Sequence, residues 1–373
     1  TEAIFSPFSL GDLTLRNRIV MAAMTQCTSP DQIPSEHDIA YYVARAKGGV
    51  GLIMAGATTV EERSGSNEDR IPAFFGERPL QAWVRLKDRV QAEGCKIMPQ
   101  LFHCGATRFE GTGPYPDAPV IGPSGLAGPG RVVCEPMSQA QIDACVEAYG
   151  KAAYSAKALG FDGVEIHAAH GYFIDQFFWD GTNQRTDGYG GSIEGRSRFA
   201  TEIVQATRHA VGPDFPIVLR FSQWKIQDYS ARLVTSPAEL ERFLRPLIEA
   251  GVDILHASGR RYWDAEFPET KSPLTLAGWT RKISGLPTIA VGSVGLKGDI
   301  WNGIHANADV ETGEIDRLND LIARGEFDLI AIGRALLANP DWAEKVRRGA
   351  YDTLQPYYPA KRDDYASNTG YDH

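Results

Sequence analysis

The sequence is poor in cysteine, and its cysteines are not arranged as a metal site requires. None of them forms a C-x-x-C pair. Zinc and iron–sulfur sites need cysteines or histidines at short, regular spacings, so we expect no metal. An odd, scattered set favours a reducing compartment such as the cytoplasm. The five cysteines are Cys27, Cys95, Cys104, Cys134 and Cys145.

Long apolar runs and an excess of basic residues are also missing. No stretch reaches the roughly 18 apolar residues of a membrane-spanning helix, and the N-terminal region lacks the pattern of a signal peptide. We therefore expect a cytoplasmic protein without a membrane partner. The formal charge of −9 at pH 7 argues against nucleic acid as the main partner, although it leaves room for a local basic pocket that binds one phosphate group.

A third absence concerns the fold. No Gly-x-Gly-x-x-Gly fingerprint follows an early strand, which disfavours a doubly wound open sheet. The chain does contain about eight short apolar runs, most of them followed by a helical pattern. Repeated strand–helix units of this number close most naturally into a (β/α)8 TIM barrel of the α/β class. The predicted strands are Ile19–Ala23, Val50–Met54, Lys96–Leu101, Gly163–His167, Ile217–Phe221, Asp253–Ala257, Thr288–Val291 and Leu329–Ile332.

Amphipathic segments between these runs are predicted as helices, and several precede a glycine at the position that a helix C-cap favours. The alternation from Phe8 to Leu15 around Gly11-Asp12 predicts a separate N-terminal β-hairpin over residues 5–16. We expect one barrel domain over residues 1–373. The main predicted helices are Leu80–Glu93, Gln139–Leu159, Ile193–Val211, Ala238–Ala250 and Ile315–Arg324.

Two loops are too long to be simple connections. Residues 102–138, rich in Gly and Pro, follow the third strand, and residues 258–273, which include Tyr262 and Trp263, follow the sixth. Both leave carboxyl ends of strands, so we expect them to cap the pocket, with structural insertions as the alternative. The insertion at 295–313 and the polar tail at 351–373 have no role that the sequence reveals.

The end of the fourth strand carries the densest group of proton-bearing side chains. His167, His170 and Tyr172 follow one apolar run within six residues. Tyr172 is suited to donate a proton, since a phenol stays protonated at neutral pH. The two histidines can donate hydrogen bonds to a carbonyl or nitro oxygen. They could instead be buried structural histidines or metal ligands, but no third ligand is evident.

Other strand ends offer groups for a flat ligand that carries a phosphate. Thr25 and Gln100 can bond to a ring edge beside the small residues of the first two strands. Arg220 needs an anionic partner if it points inward, either a ligand or Glu165 on the neighbouring strand. A phosphate site is typical of the last two strands of a barrel. Its candidate residues are Gly292, Ser293, Gly333 and Arg334, although the glycines could be plain turn residues.

These residues together resemble the old yellow enzyme family of FMN-dependent ene reductases, from Phe5 to about Trp342. The resemblance implies tightly bound, non-covalent FMN, NAD(P)H as a transient reductant, and an α,β-unsaturated carbonyl or nitro compound as substrate. Its most specific segments are His167-Ala168-Ala169-His170-Gly171-Tyr172, the run from Asn183 to Ser192, and Gly333-Arg334 followed by Leu337-Ala338-Asn339-Pro340.

The resemblance also implies roles for individual residues. Tyr172 would be the proton donor, and His167 and His170 would bind the oxygen of the activating group. Tyr262 and Trp263 would lie against the substrate from the lid. The expected flavin-binding residues are Ala23, Met24, Thr25, Ala57, Gln100, Arg220, Gly292, Ser293, Gly333 and Arg334.

The sequence departs from the family pattern near the pocket. Ala23 stands where a proline is usual, Gln26 where an arginine is frequent, and Ala106 where an arginine is common. These departures affect the expected substrate range more than the cofactor. Two other functions stay open: a flavin-free barrel aldolase or isomerase that acts on a phosphorylated substrate, and a non-catalytic flavin-binding protein. The physiological substrate, the choice between NADH and NADPH and the oligomeric state are not determined by the sequence.

Overall fold

A computed structural model describes residues 2–299, 311–313 and 315–361. Most of the predicted insertion and the last part of the polar tail lie outside these residues. The two ends of the insertion lie within them and pair as a short antiparallel bridge between Leu296 and Thr312.

Eight parallel strands form a closed barrel, which confirms the predicted fold class. The neighbours in the barrel follow chain order, and the last strand closes the ring by pairing with the first. All eight predicted strands are present, with ends that differ by a few residues. The strands are β3 (Ile19–Met21), β4 (Leu52–Thr59), β5 (Lys96–Phe102), β6 (Val164–His170), β7 (Ile217–Lys225), β8 (Ile254–Ser258), β9 (Thr288–Val291) and β10 (Leu329–Ile332).

The helices lie outside the barrel and cover the outer faces of its strands. The five predicted helices are confirmed, although one of them, at Asp316–Ala323, is shorter than expected. The helices within the described residues are α1 (Glu2–Phe5), α2 (Glu36–Lys47), α3 (Glu77–Ala92), α4 (Gln139–Ala158), α5 (Phe173–Phe178), α6 (Ile193–Val211), α7 (Pro237–Ala250), α8 (Leu276–Ser284), α9 (Asp316–Ala323), α10 (Arg334–Ala338) and α11 (Trp342–Arg347).

The helices α2 and α8, which have 12 and 9 residues, were not predicted, although both begin with recognisable N-caps. The Ser35 hydroxyl accepts a hydrogen bond from the Asp38 amide, and the Asp38 carboxylate accepts one in return from the Ser35 amide. This reciprocal pair is a capping box. At α8, the Thr275 hydroxyl accepts a hydrogen bond from the Gly278 amide. Cap residues were therefore a stronger signal here than apolar periodicity.

The predicted hairpin closes one end of the barrel. Its strands β1 (Phe8–Leu10) and β2 (Leu13–Leu15) pair antiparallel, and Gly11 in the turn adopts φ +54°. Phe8, Leu13 and Leu15 belong to the same apolar cluster as the inward-facing residues of the barrel strands. That cluster fills the amino-terminal end of the barrel, so the open cavity lies at the carboxyl ends of the strands.

The long loop at 102–138 differs from the expected lid. A cavity opens at the carboxyl ends of the barrel strands, and Phe102 is the one residue of this segment that lines it. The loop after β4 instead contributes Asn67, Glu68 and Ile71. Within the long loop, the buried Arg108 donates hydrogen bonds to the carbonyl oxygens of Thr112, Tyr115 and Ala118. The loop therefore folds around its own arginine rather than over the cavity.

We expect Leu15→Ala to lower the free energy of unfolding by about 2–5 kcal/mol, because it empties a fully buried position of the hairpin. Thr14→Ala, at the exposed neighbouring position, should change it by less than about 0.5 kcal/mol. Chemical denaturation followed by circular dichroism measures both. Equal effects of the two substitutions would show that the hairpin does not contribute to the core.

Candidate functional site

A cavity of about 460 Å³ opens at the carboxyl ends of the barrel strands, within the usual size range of ligand sites. A groove of about 540 Å³ between α3, α4 and α6 contains none of the predicted site residues. The cavity brings together nearly all of them. Those that line it are Ala23, Met24, Thr25, Ala57, Gln100, His167, His170, Tyr172, Arg220, Gly292, Ser293, Gly333 and Arg334.

The segment after β3 forms one wall of the cavity because β4 carries no side chain where the two meet. A Cβ atom on Gly56 would lie 2.4 Å from the Met24 carbonyl oxygen. Such a contact is far inside van der Waals distance, so only glycine permits this approach. Ala23 and Ala57 keep the wall shallow, and Thr25 adds a hydroxyl to it.

The end of β6 presents the two histidines and the tyrosine through an irregular backbone. The register with β7 shifts between Ala168 and His170, and His170 and Gly171 adopt φ +65° and +80°. A left-handed conformation is uncommon for a residue with a side chain, so the surrounding contacts must hold it. The ring of His167 lies 5.3 Å from that of His170 and 5.4 Å from that of Tyr172, which places the three rings around one space.

Both histidines are neutral at physiological pH. Burial, and the nearby Arg220 guanidinium, lower the pKa of His167 to about 3, and the same causes hold the pKa of His170 well below its ordinary value. The Nε2 atom of His170 lies 2.8 Å from the Ser258 hydroxyl oxygen, and its ring stacks on Trp224 at 4.4 Å. Neutral imidazoles can donate a hydrogen bond without bringing a positive charge into the cavity.

Tyr172 is kept protonated by its surroundings. Burial, together with the nearby Cys104 and Cys27 side chains, raises the pKa of the phenol above its ordinary value of 10.0. The ring packs edge-on against Phe102, with 5.0 Å between centroids. A protonated phenol on the wall of this cavity is suited to donate a proton to a carbon centre.

A buried ion pair behind the site holds this irregular segment. The Lys225 Nζ atom lies 2.6 and 2.8 Å from the two carboxylate oxygens of Asp175, and both side chains are fully buried. The same carboxylate accepts a hydrogen bond from the Gly171 amide at 2.7 Å. The His170 amide donates to the Ser222 hydroxyl at 2.8 Å. Both left-handed residues are thus tied to fixed acceptors.

Arg220 reaches the cavity from β7, and no carboxylate among the described residues forms an ion pair with it. The alternative that Glu165 forms an ion pair with Arg220 is wrong, because Glu165 bonds instead to Gln100 and His256. The Nε atom of Arg220 is buried and has no hydrogen-bond partner in the described part of the chain. Its Nη2 atom lies 3.4 Å from the Ser258 hydroxyl, a weak contact. A buried guanidinium in this state is suited to bind an anionic ligand.

The other end of the cavity combines close-packed backbone with arginines. A Cβ atom on Gly292, which has φ +140°, would lie 2.9 Å from backbone atoms of Gly259 and Arg260. Arg334 donates hydrogen bonds to the carbonyl oxygens of Asp299 and Gly298, at 2.8 and 3.0 Å. Exposed backbone amides and fixed positive charge at the last two strands suit a phosphate group.

The structure does not bring Tyr262 and Trp263 to the cavity wall, contrary to the expectation for the lid. Tyr262 is buried, packs edge-on against Trp263, and donates its backbone N–H to the Gly292 carbonyl oxygen at 3.0 Å. The pair thus supports the Gly292 turn from outside. Of the residues that depart from the family pattern, Ala106 is buried away from the cavity, whereas Ala23 and Gln26 line it.

Sequence reasoning missed several residues that line the cavity. Trp224 lies beyond the predicted end of its strand, which continues as far as Lys225. Tyr357 comes from the polar tail and lies with its ring 5.8 Å from the Arg334 guanidinium. The tyrosine-rich composition of the tail was the available signal for Tyr357. Nothing in the sequence distinguished Arg260 from its neighbour Arg261.

Two further searches were confined to the described residues. No group of three or more His, Cys, Asp or Glu side chains is arranged there to hold a metal ion. None of the described helices is both long and apolar enough to span a bilayer.

Most of the chain is similar in sequence to known flavin oxidoreductases and their relatives. Residues 3–353 match the profile of the family described as NADH:flavin oxidoreductase / NADH oxidase. The NADH oxidase of Thermoanaerobacter brockii is 33% identical over 363 residues, which are 94% of this chain and 52% of that protein. A metal reductase of Desulforamulus reducens is 32% identical, with 50% of its length covered. The chain thus spans about half the length of these two relatives.

Other relatives are matched over most of their length. The 12-oxophytodienoate reductase 2 of Arabidopsis thaliana is 30% identical over 362 residues, which are 93% of this chain and 89% of that protein. Morphinone reductase has a TM-score of 0.78 at 28% identity over 93% of this chain and 89% of its own. Its complex with tetrahydroNAD gives a TM-score of 0.81 at 26% identity over 99% of both chains.

We expect Lys225→Met to lower the free energy of unfolding by about 3–5 kcal/mol, because Asp175 would be left as an unpaired buried carboxylate. Asp175 would then bind a proton in the folded state at a pH where the unfolded chain has lost it. The stability of the variant should therefore fall as the pH rises from about 4 to about 7. Denaturation at several pH values measures both effects.

Arg63→Met is the matched control for this substitution. Arg63 and Asp117 are paired at 2.9 Å, but their side chains are 61% and 72% exposed. Loss of the Arg63–Asp117 pair should lower the free energy of unfolding by less than about 1 kcal/mol. A Lys225→Met variant as stable as Arg63→Met would mean that the buried pair does not fix the segment after β6.

Proposed function

The chain belongs to the NADH:flavin oxidoreductase / NADH oxidase family, the old yellow enzymes, and on that premise we propose that it uses NAD(P)H to reduce activated C=C bonds of α,β-unsaturated carbonyl or nitro compounds. One observation carries this proposal. Two neutral histidines, a protonated tyrosine and an arginine whose Nε atom has no partner among the described residues surround a single cavity.

FMN is the cofactor of this family, and the residues of the cavity fit it. The shallow wall of Ala23 and Ala57 leaves room for a flat ring system, and the unbonded Nε atom of Arg220 is available to a ring edge that gains negative charge. In this proposal Met24, Thr25 and Gln100 also contact the ring. The phosphate group would be held by Gly292, Ser293, Gly333 and Arg334.

Bound FMN supplies the hydride chemistry, and the chain supplies binding, orientation and the proton. His167 and His170 would donate hydrogen bonds to the carbonyl or nitro oxygen of the substrate, which gains negative charge during reduction. Because both rings are neutral, their N–H groups polarise this oxygen without protonating it. Tyr172 would then give its phenolic proton to the carbon next to the activating group.

One cavity would serve both NAD(P)H and the substrate, since the opposite end of the barrel is filled by the hairpin. The two would therefore bind in turn, as a ping-pong mechanism requires. The aldolase alternative lacks its nucleophile, because no lysine lines the cavity within the described residues. Lys225 is fully buried and paired with Asp175.

Tyr172→Phe tests the assignment of the proton donor. We expect the variant to reoxidise with an enone about 10²-fold more slowly or worse, whereas reduction of the flavin by NAD(P)H should change little. Anaerobic stopped-flow absorbance follows each half-reaction separately. In the wild type the enone half-reaction should be independent of pH up to about 9, because the pKa of Tyr172 is raised above its ordinary value of 10.0.

The wild-type spectrum is the control for this experiment. Purified protein should show a flavin band that NADPH or NADH bleaches, and should release FMN on denaturation. Equal loss of rate in both half-reactions of Tyr172→Phe would contradict the role of the phenol. A colourless protein that does not take up FMN would remove the proposed function altogether.

Arg260 supports a preference for NADPH within this proposal. Arg260 is exposed and lines the cavity. Its guanidinium lies 4.5 Å from the centre of the Tyr229 ring and donates a hydrogen bond to the backbone carbonyl oxygen of Tyr229. Among the described residues no carboxylate forms an ion pair with Arg260. An arginine held in this way suits the 2′-phosphate that distinguishes NADPH from NADH.

We expect Arg260→Gln to raise the apparent Kd for NADPH about tenfold, the effect of losing one charged hydrogen bond. Arg261→Gln is the matched control, since Arg261 is already paired with Asp299 at 3.0 Å and does not line the cavity. Rapid-mixing titrations measure the apparent Kd of each of the two variants for NADPH and for NADH, and each value is compared with that of the wild type. A change that is equal for both nucleotides in Arg260→Gln would rule out the contact with the 2′-phosphate.

A further inference from the structure

A layer of polar side chains crosses the barrel interior at the floor of the cavity, where Gln100 and Arg220 line it. Gln100, Glu165, Arg220 and His256 point inward from four successive strands, and none is more than 7% exposed. The strand register sets Gln100 opposite Glu165 and Arg220 opposite His256. Below them the barrel is filled by apolar residues. Polar groups buried this deeply are costly unless each is bonded, so their pairing pattern is informative.

Within this layer Glu165 bonds to Gln100 and His256 rather than to Arg220. Its Oε1 atom accepts a hydrogen bond from Gln100 Nε2 at 2.7 Å, and its Oε2 atom lies 2.5 Å from His256 Nδ1. Burial opposes ionisation of this carboxyl, but the contacts with His256, the charge of Arg220 and the hydrogen bond from Gln100 outweigh it and lower its pKa. Glu165 is therefore a carboxylate whose two oxygens are both occupied.

Arg220 still experiences the charge of Glu165. Burial lowers the pKa of the guanidinium, and the nearby carboxylate acts against that effect. Yet none of the described hydrogen bonds or ion pairs joins the two side chains, and the Nε atom of Arg220 has no described partner. The negative charge thus compensates the positive one without occupying its N–H groups.

We propose that His256 is a positioning residue that holds the Glu165 carboxylate away from Arg220, so that the N–H groups of the guanidinium stay available to the anionic ring edge of reduced FMN. This inference rests on the proposed function. His256 does not line the cavity, so in this proposal it acts on Arg220 through its contact with Glu165. The pair would set how strongly the protein favours the reduced flavin.

The proposal requires opposite effects from the two members of the pair. In His256→Leu the carboxylate loses a donor and has Arg220 as the nearest cation, so the guanidinium would be drawn into an ion pair and would stabilise reduced FMN less. In Glu165→Gln the compensating charge is removed but the contact with Gln100 can persist, so Arg220 would stabilise reduced FMN more. His256→Gln keeps an N–H donor for Glu165 and should behave like the wild type.

The test is an anaerobic titration of the midpoint potential of bound FMN with dithionite and a reference dye. We expect His256→Leu to weaken the preference for reduced over oxidised FMN about tenfold, which lowers the potential by about 30 mV for a two-electron couple. Glu165→Gln should raise it by a similar amount. His103→Leu is the control, because it breaks another histidine–glutamate contact, at 2.8 Å between a buried His103 and a partly exposed Glu62, and neither residue lines the cavity.

Each outcome decides the proposal. Shifts of opposite sign, with His256→Gln and His103→Leu unchanged, support it. Unchanged potentials, shifts of the same sign, or an equal shift in His103→Leu overturn it. If Glu165→Gln does not fold, the comparison of His256→Leu with His256→Gln decides alone. The titration needs neither NAD(P)H nor an enone, so an enzyme that binds FMN but reduces no enone would refute the proposed function without touching this inference.

Discussion

The site depends on one positive charge that is buried without being neutralised by direct contact. A guanidinium at the centre of a barrel is unfavourable unless other charges or dipoles compensate it. The chain meets this requirement with Glu165 in the same polar layer as Arg220, and the histidines beside Arg220 are neutral. Protonated histidines would add positive charge to the same small volume. The low pKa of His167 and the open donor of Arg220 are thus two results of the same arrangement.

The irregular end of β6 places the proposed substrate-binding residues in the same cavity as the Arg220 guanidinium. Two consecutive left-handed residues turn the chain so that His167, His170 and Tyr172 face one space. The conformation is held from behind by the Lys225–Asp175 pair and the Ser222 hydroxyl. Strand β7 carries both Arg220 and Lys225. One strand therefore positions the guanidinium at the floor of the cavity and the ammonium group that anchors the end of β6.

The barrel and most of its site could be predicted because strand ends converge. The apolar runs fixed eight strands, and the residues that follow each run were therefore expected around one cavity, as they are. Side-chain partners could not be predicted in this way. Glu165, Arg220 and His256 all face the barrel interior from neighbouring strands, and strand register does not decide which of the two the carboxylate bonds to. Long loops were also beyond sequence reasoning, since Tyr262 and Trp263 pack inward against their own loop.

The left-handed backbone at His170 has a consequence for which residues this position can accept. Only a few side chains with a Cβ atom adopt positive φ readily, chiefly Asn, Asp and His. Of these, Asp has no N–H group to offer an oxygen when it is ionised. Histidine and asparagine combine a neutral N–H donor with a comparatively low cost of positive φ. The shape of the chain at the end of β6 thus favours these two amino acids at the position before any substrate is considered.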